Sequence, residues 1–355
     1  METTKIVLAM PSHSNFAPPI QQNLKYHNFD IIFINSSPEH LKRIRLPFLY
    51  SIYNIFRKLF LSDSLYKSKI KKNKKDKIIT HSIKTQLTDQ NIDYTLVIRP
   101  DLFELEHIEL LKIHTNQFIG YQWNGLARFP TTLLSIPYFD RFFVFDNIDL
   151  SKTDYNKYNL LGTTNFYFDM YQPQPVPHKG NVAYFVGLHF DERIISLDIC
   201  AQELIKNGIK LDFNIRFLKK DPDNQYQCQD IKFIKKNIEF DENLDHINQA
   251  DILVDVVNPV HNGLSFRTFE ALYYEKKLIT NNKTVMDYDF YHPNNILIWD
   301  GKDLSMLQDF LSKPLVAIDI KIREKYGFKN WIRNLLDCHP YIEIKLPHAN
   351  FKNSG

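Results

Sequence analysis

The sequence predicts an α/β protein of two domains, each built on a parallel sheet with helices on both faces. Three observations predict it. Short apolar runs of strand length alternate with segments of helical period along the whole chain. The alternation starts afresh after residues 171–180, which hold three prolines in ten residues. The length, 355 residues, suits about two domains.

In the first half, residues 5–10, 30–35, 94–99, 117–123 and 141–146 read as buried strands, because each is a nearly continuous apolar run rather than an alternating one. Helix-period segments such as 102–114 lie between them. The second half repeats the scheme at 182–186, 211–217, 251–257, 277–280 and 296–299. The prolines of 171–180 neither continue a helix nor fit a central strand, so this stretch reads as a linker. The expected organisation is an N-terminal Rossmann-like domain over 1–170, the linker, a second Rossmann-like domain over 181–315, and a closing segment 316–355. In that segment a helix around 320–336 returns to the N-terminal domain and packs Trp331 and Ile332 there. The two domains would face a central cleft. In open sheets of this kind ligands bind beyond the carboxyl ends of the strands, so residues there carry most weight.

Composition narrows the class. With 44% hydrophobic and 24% charged residues the chain is not disordered, and ten glycines exclude a collagen-like repeat. Cys200, Cys228 and Cys338 form neither a disulfide framework nor a metal-ligand spacing, which suits a reducing compartment and a cytoplasmic protein. No apolar run reaches the ~18 residues that span a bilayer, and the first residues lack a signal-peptide pattern.

The net charge of +3 hides an asymmetry: residues 1–165 hold 21 Lys and Arg against 15 Asp and Glu, and 166–355 hold 23 against 26. Most of the basic excess lies in 66–77, with seven lysines and one aspartate, just after the apolar and aromatic stretch 46–61. That order suits an interfacial membrane helix, each lysine adding about 1 kcal/mol near anionic lipid. A core helix followed by a solvated lysine loop is the plainer alternative. No recognition motif accompanies the lysines, so nucleic acid is not expected as a partner.

The sharpest motif is 250–272, ADILVDVVNPVHNGLSFRTFEAL. A strand ends in the loop His261-Asn262-Gly263 and a helix begins near Leu264, with Asn262 placed to cap it and Ser265, Arg267 and Thr268 in or near its first turn. A helix N-terminus offers free N–H groups and a positive dipole end, which favour a phosphate. Gly263 lets the backbone approach a ligand closely, and Arg267 adds charge-assisted donors. Glu270, three residues beyond Arg267, can accept both hydroxyls of a ribose. A surface Arg–Glu pair on an amphipathic helix explains the same spacing. The second motif, 181–193, is a buried strand, a turn at Gly187 and then a helix, with His189 on the turn and Arg193 placed to neutralise a diphosphate. It lacks the three-glycine dinucleotide fingerprint.

These stretches resemble the donor-nucleotide domain of GT-B glycosyltransferases, especially enzymes of bacterial capsule, lipopolysaccharide and exopolysaccharide synthesis. The resemblance rests on VG…R at 186–193, ADILV at 250–254, GLSFRTFEAL at 263–272 and KKLITNN at 276–282. In the first half it rests on DYTLVIRPD at 93–101, YQWNG at 121–125 and YFDRFFVFD at 138–146. It implies a metal-independent, hexosyltransferase-like enzyme without a separate cofactor. Such an enzyme moves a sugar from a nucleotide-sugar donor to a surface-glycan or lipid-linked saccharide acceptor. It also implies that Glu270 binds the ribose while Ser265, Arg267 and the 263–266 backbone, Leu264 included, hold the diphosphate. Many members carry a second glutamate eight residues earlier; here that position is Asn262, so the acidic pair is incomplete and the stereochemical course stays open.

An inverting transferase needs a base on the acceptor hydroxyl, and a retaining one chiefly needs leaving-group stabilisation. Candidates in the N-terminal domain are His13 after the first strand, Asp101 after the third and Asn124 after the fourth. His13 is the first choice of base, with capping of the following helix as its alternative, and Asp101 reads first as the cap of a helix at Leu102. The Asp-x-Asp triplets at 221–223 and 287–289 read as structural, and no metal is expected. Two rival functions share the scaffold: a nucleotide-sugar 2-epimerase, which needs carboxylates around the sugar ring, and a non-catalytic scaffold protein of polysaccharide assembly. A buried mutual pair of Arg267 and Glu270 would favour the scaffold protein.

Overall fold

The computed structural model describes residues 3–12, 15–37, 66–174, 180–218, 222–257 and 262–347. His13 and the stretch 46–61 lie outside the described residues. The chain divides into two compact units, Met1–Phe143 and Val144–Gly355, and the proline-rich stretch 171–180 falls inside the second.

The first half contributes β1 (Thr4–Met10), α1 (Ala17–Tyr26), β2 (Phe29–Asn35), α2 (Tyr66–Leu87), β3 (Ile92–Ile98), α3 (Leu105–Lys112), β4 (Thr115–Gln122) and β5 (Arg141–Val144). After these come the short α4 (Asn147–Ser151) and β6 (Leu161–Gly162). The first sheet has the order β2-β1-β3-β4-β5-β6, with β2, β1, β3 and β4 paired in parallel. Strand β3 stops one residue short of the expected end: Arg99 takes a left-handed conformation (φ 63°, ψ 62°) and Pro100, which donates no N–H, follows it. Helix α3 begins at Leu105 rather than Leu102, with Glu104 at its N-cap and a capping box closed by His107. Asp101 is therefore not a helix cap.

The lysine tract is helical. Tyr66–Leu87 forms one helix of 22 residues, and Ile79, Ile83 and Leu87 form its core-facing stripe. Neither alternative read from the sequence had the lysines in the same helix as that stripe. No glycine or proline interrupts 66–87, and lysine is a good helix former. Two lysines are anchored at the base of the helix: Lys72 pairs with Glu104 at 2.9 Å and Lys75 donates to the Leu102 carbonyl at 3.2 Å.

The second sheet is formed by β7 (Val182–Leu188), β8 (Lys210–Arg216), β9 (Lys232–Ile234), β10 (Ile252–Asp255), β11 (Lys277–Thr280) and β12 (Ile296–Ile298). Its order is β12-β11-β10-β7-β8-β9 and all five pairs are parallel. Helices α5 (Ile194–Lys206), α6 (Phe240–Gln249), α7 (Phe266–Tyr273) and α8 (Leu307–Ser312) connect these strands or follow them. Alternate residues supply two separate cores, because successive side chains of a strand point to opposite faces. Ala183, Phe185, Phe213, Ile215, Ile252 and Val254 pack with Leu197, Ala201 and Leu204 of α5. Tyr184 and Leu253 pack on the other face with Leu244, Ile247, Phe269 and Ala271 of α6 and α7. The two short strands β6 and β9 were not legible, since two or three residues carry no periodicity.

The closing helix is two helices, α9 (Ile320–Lys325) and α10 (Phe328–Leu336), separated at Tyr326–Gly327. Trp331 and Ile332 are fully buried, and the Trp331 ring lies 4.2 Å from Phe166 and 5.7 Å from Phe328. No helix among the described residues is long and apolar enough to cross a membrane.

Close packing in the first unit gives a test of this fold. A Cβ at Gly120 of β4 would lie 2.5 Å from Phe142 and 3.1 Å from Phe139. Gly120→Ala is expected to destabilise the protein by about 1–3 kcal/mol through overpacking, read as a lowered thermal midpoint.

Candidate functional site

The residues that converge do so at and behind the carboxyl end of the second sheet. Strand β7 runs through Gly187 to Leu188, so Gly187 pairs within the sheet and does not form the expected turn. A Cβ there would lie 2.8 Å from the Phe185 ring and 3.4 Å from Nη1 of Arg193, so the glycine leaves room for that guanidinium. Arg193 ends a short 3-10 turn (Asp191–Arg193) and stands at the N-cap of α5. Burial pushes its guanidinium below the usual value, and Asp255 at the end of β10 opposes this. His189 is held rather than free: its N–H donates to the Arg216 carbonyl at 2.7 Å, Nδ1 lies 3.1 Å from the Tyr226 hydroxyl and Nε2 3.2 Å from Asp191.

Helix α7 begins at Phe266 with Ser265 at its N-cap. Asn262 is not the cap. Its N–H donates to Asp146 at 3.1 Å, and its carbonyl accepts from Asn282 and Thr284, both at 3.1 Å. Gly263 is required by protein packing, since a Cβ would come within 2.3 Å of the Phe145 ring. Leu264 is buried, and its carbonyl accepts from Asn165 at 2.9 Å. Residues 262–264 before α7 are thus held from several sides. Ser265 makes no side-chain cap; its Oγ instead donates to Asp255 at 2.9 Å. The N-cap hydroxyl is thus turned away from the first turn of α7.

Arg267 and Glu270 are together, the glutamate buried and each side chain only 11% exposed. Arg267 Nη1 lies 3.1 Å from Glu270 Oε2, but the alignment is poor for a hydrogen bond and Nη1 has no hydrogen-bond partner. The guanidinium also sits 4.9 Å from the Tyr184 ring centroid. Burial raises the Glu270 carboxyl above its usual value; Arg267 and an amide hydrogen bond from Asn243 work against that, and Asp255 adds to it. Thr268 is buried and turns elsewhere, lining a cavity of about 220 Å³ with Ala271, Leu272 and Phe290.

Four contributors were not among the candidates. Arg216 ends β8, and its buried Nε has no partner, as is also true of Arg193 Nε. Pairing of Leu188 with Arg216 puts this third arginine at the same sheet edge. Strand alternation places Arg216 on the Tyr184 face. Asp255, Tyr184 and Asn243 complete the set. Tyr184 and Asp255 lie in strands legible from the sequence, but nothing in the pattern says which strand residues face a site. Asn243 lies on a polar helix with no motif.

In the first unit, both Asp101 oxygens are occupied. Arg99 donates to them at 2.8 and 2.7 Å, and Gln122 donates to Oδ1 at 2.7 Å. The Arg99 guanidinium lies 4.1 Å from the Phe129 ring centroid. Among the described residues no group of three His, Cys, Asp or Glu side chains has metal-site geometry. Asp289 of the triplet 287–289 accepts from Tyr326 and Lys325, a structural role.

Glu270 gives a prediction for stability against pH. Its folded value is raised above that of an ordinary glutamate, so its protonated form contributes stability below the ordinary value that is lost as pH rises through the raised one. The stability difference between wild type and Glu270→Gln is expected to fall over that interval, measured by chemical unfolding at a series of pH values.

Comparison of the sequence with family models returned no match, and comparison with curated proteins returned none. Solved structures do match. A UDP-GlcNAc 2-epimerase from Methanocaldococcus jannaschii is 12% identical with a TM-score of 0.52, covering 94% of this chain and 99% of its own. A glycosyltransferase from Rickettsia africae is 13% identical with a TM-score of 0.50, covering 95% and 96%. At this identity the likeness is one of fold: the chain has the two-sheet α/β architecture of GT-B proteins.

Proposed function

We propose that the second unit binds a nucleoside diphosphate sugar and that the protein is a glycosyltransferase. Its acceptor would be a surface-glycan or lipid-linked saccharide of bacterial polysaccharide synthesis. One observation carries the reading: three arginines, 193, 216 and 267, each keep a buried guanidinium nitrogen without a hydrogen-bond partner. Two of them stand at a sheet edge, and the third on a helix whose N-terminus has no side-chain cap. Buried donors of this kind are costly unless an acceptor is bound, and a diphosphate supplies acceptors and opposite charge together. Glu270 would accept ribose hydroxyls. As the bond to the sugar breaks, charge on the departing diphosphate would be stabilised by the guanidiniums without a metal. His13 is the proposed base on the acceptor, with Asp101 second, since both Asp101 oxygens already accept from Arg99 and Gln122. The lysines of α2 would hold the enzyme at an anionic membrane surface.

Two other readings each have an observation in their favour. The likeness to a UDP-GlcNAc 2-epimerase supports acceptor-free conversion of a nucleotide sugar on the same scaffold. The buried pair of Arg267 and Glu270 is the feature expected of a non-catalytic scaffold protein. A carboxylate has about four acceptor positions, however, so Arg267 and Asn243 leave Glu270 with capacity for a ligand.

A thermal-shift screen against UDP, GDP, CDP, CMP, dTDP and ADP separates these. Ligand at about 100 times its Kd adds roughly 2.7 kcal/mol, a shift of a few degrees. A response to a diphosphate that is lost in Arg216→Ala and Glu270→Ala is expected; silence towards all six would favour the scaffold reading. Incubation of the responding nucleotide's sugar conjugate without acceptor should leave the sugar unchanged at C2, and appearance of the epimer would reassign the enzyme.

A further inference from the structure

The contacts behind Glu270 have a direction. Tyr184 is buried in the face of the second sheet covered by α6 and α7, and burial raises its phenol well above the usual value, so its hydroxyl stays protonated and donates. It donates to Oδ1 of Asn243 at 2.9 Å. An amide held by its oxygen must turn its nitrogen the other way, and Nδ2 donates to Glu270 Oε1 at 3.4 Å. The Tyr184 ring is itself fixed. It stacks on His246 at 4.9 Å with 5° between the planes, and Asp212 holds the His246 Nδ1.

We propose that Tyr184 and Asn243 are a positioning pair: the tyrosine hydroxyl sets the amide orientation, and the amide presents an N–H that keeps Glu270 an acceptor in the site. The inference rests on the reading of Glu270 as the group that accepts ligand hydroxyls. The charged and titratable groups facing Glu270 are Arg267 on its own helix, Asp255 from β10, Tyr184 from β7 and Tyr274 just beyond α7. Arg267 and Asn243 favour the carboxylate, whereas burial and Asp255 favour the acid. If the Tyr184 hydroxyl is removed, the amide is free to flip and offer its oxygen to Glu270. An oxygen there stabilises the protonated acid, which donates where the ligand needs an acceptor.

The test uses full-length protein labelled with 13C at the glutamate carboxyls, with Glu270→Gln assigning the Glu270 resonance. Tyr184→Phe and Asn243→Ala are each expected to raise the pH at which Glu270 titrates by about one unit. Should Tyr184→Phe fold poorly, Asn243→Ala tests the same donor. Calorimetric titration with UDP and GDP between pH 5 and 8 adds the functional side. Wild-type affinity should weaken as Glu270 protonates, and in Tyr184→Phe the weakening should set in at higher pH with recovery in alkali. An unchanged Glu270 titration in both variants overturns the pair, including the case where affinity falls equally at every pH. A shifted titration in a protein that binds neither nucleotide upholds the pair and counts against the donor-site reading alone.

Discussion

Burial of the Glu270 carboxylate is the constraint on which the second unit's candidate site depends. An ionised carboxylate removed from water is tolerated only with charge and hydrogen bonds to compensate it. The compensation comes from three directions: Arg267 on the same helix, Asn243 on α6 and, through the amide, Tyr184 on β7. Helices α6 and α7 must therefore cover the same face of the sheet in one register. The apolar contacts of Tyr184, Leu244, Ile247 and Phe269 hold them there. Packing and polar network specify each other.

Residues 262–265, which enter α7, show the same economy. Its backbone is gripped by Asp146, Asn165, Asn282 and Thr284, and Gly263 lies flat against Phe145. Ser265, at the position where a hydroxyl normally caps the helix, bonds to Asp255 instead. With the backbone of 262–264 held in this way, little ordering of these residues is left to be done when a ligand binds.

The arginines of the two units differ in a telling way. Arg99 of the first unit is satisfied by Asp101 on its edge and Phe129 on its face. Arg193, Arg216 and Arg267 of the second unit each retain a buried nitrogen with no hydrogen-bond partner. The first arrangement resembles a structural fastening that holds the end of β3 in a left-handed turn. The second has unused donor capacity, which is why the ligand reading attaches to the second unit.

How much of this was legible differs by level. Continuous apolar runs and the repeated alternation with helical segments determined the fold class and ten of the twelve strands among the described residues, since burial on both faces writes itself into composition. Arg193, Arg267 and Glu270 were legible because they lie within about a turn of strand ends or helix starts, where local geometry predicts direction. The sequence reading had Gly263 bring the backbone close to a ligand, whereas in the structure the missing Cβ makes room for Phe145, more than a hundred positions away. Tertiary structure alone decided that Ser265 turns to Asp255, that Arg216 joins the arginines, and that Tyr184 and Asn243 stand behind Glu270. The reason is physical: periodicity reports which face of an element is buried, whereas hydrogen-bond partners are chosen among side chains that only strand register and helix packing bring within reach.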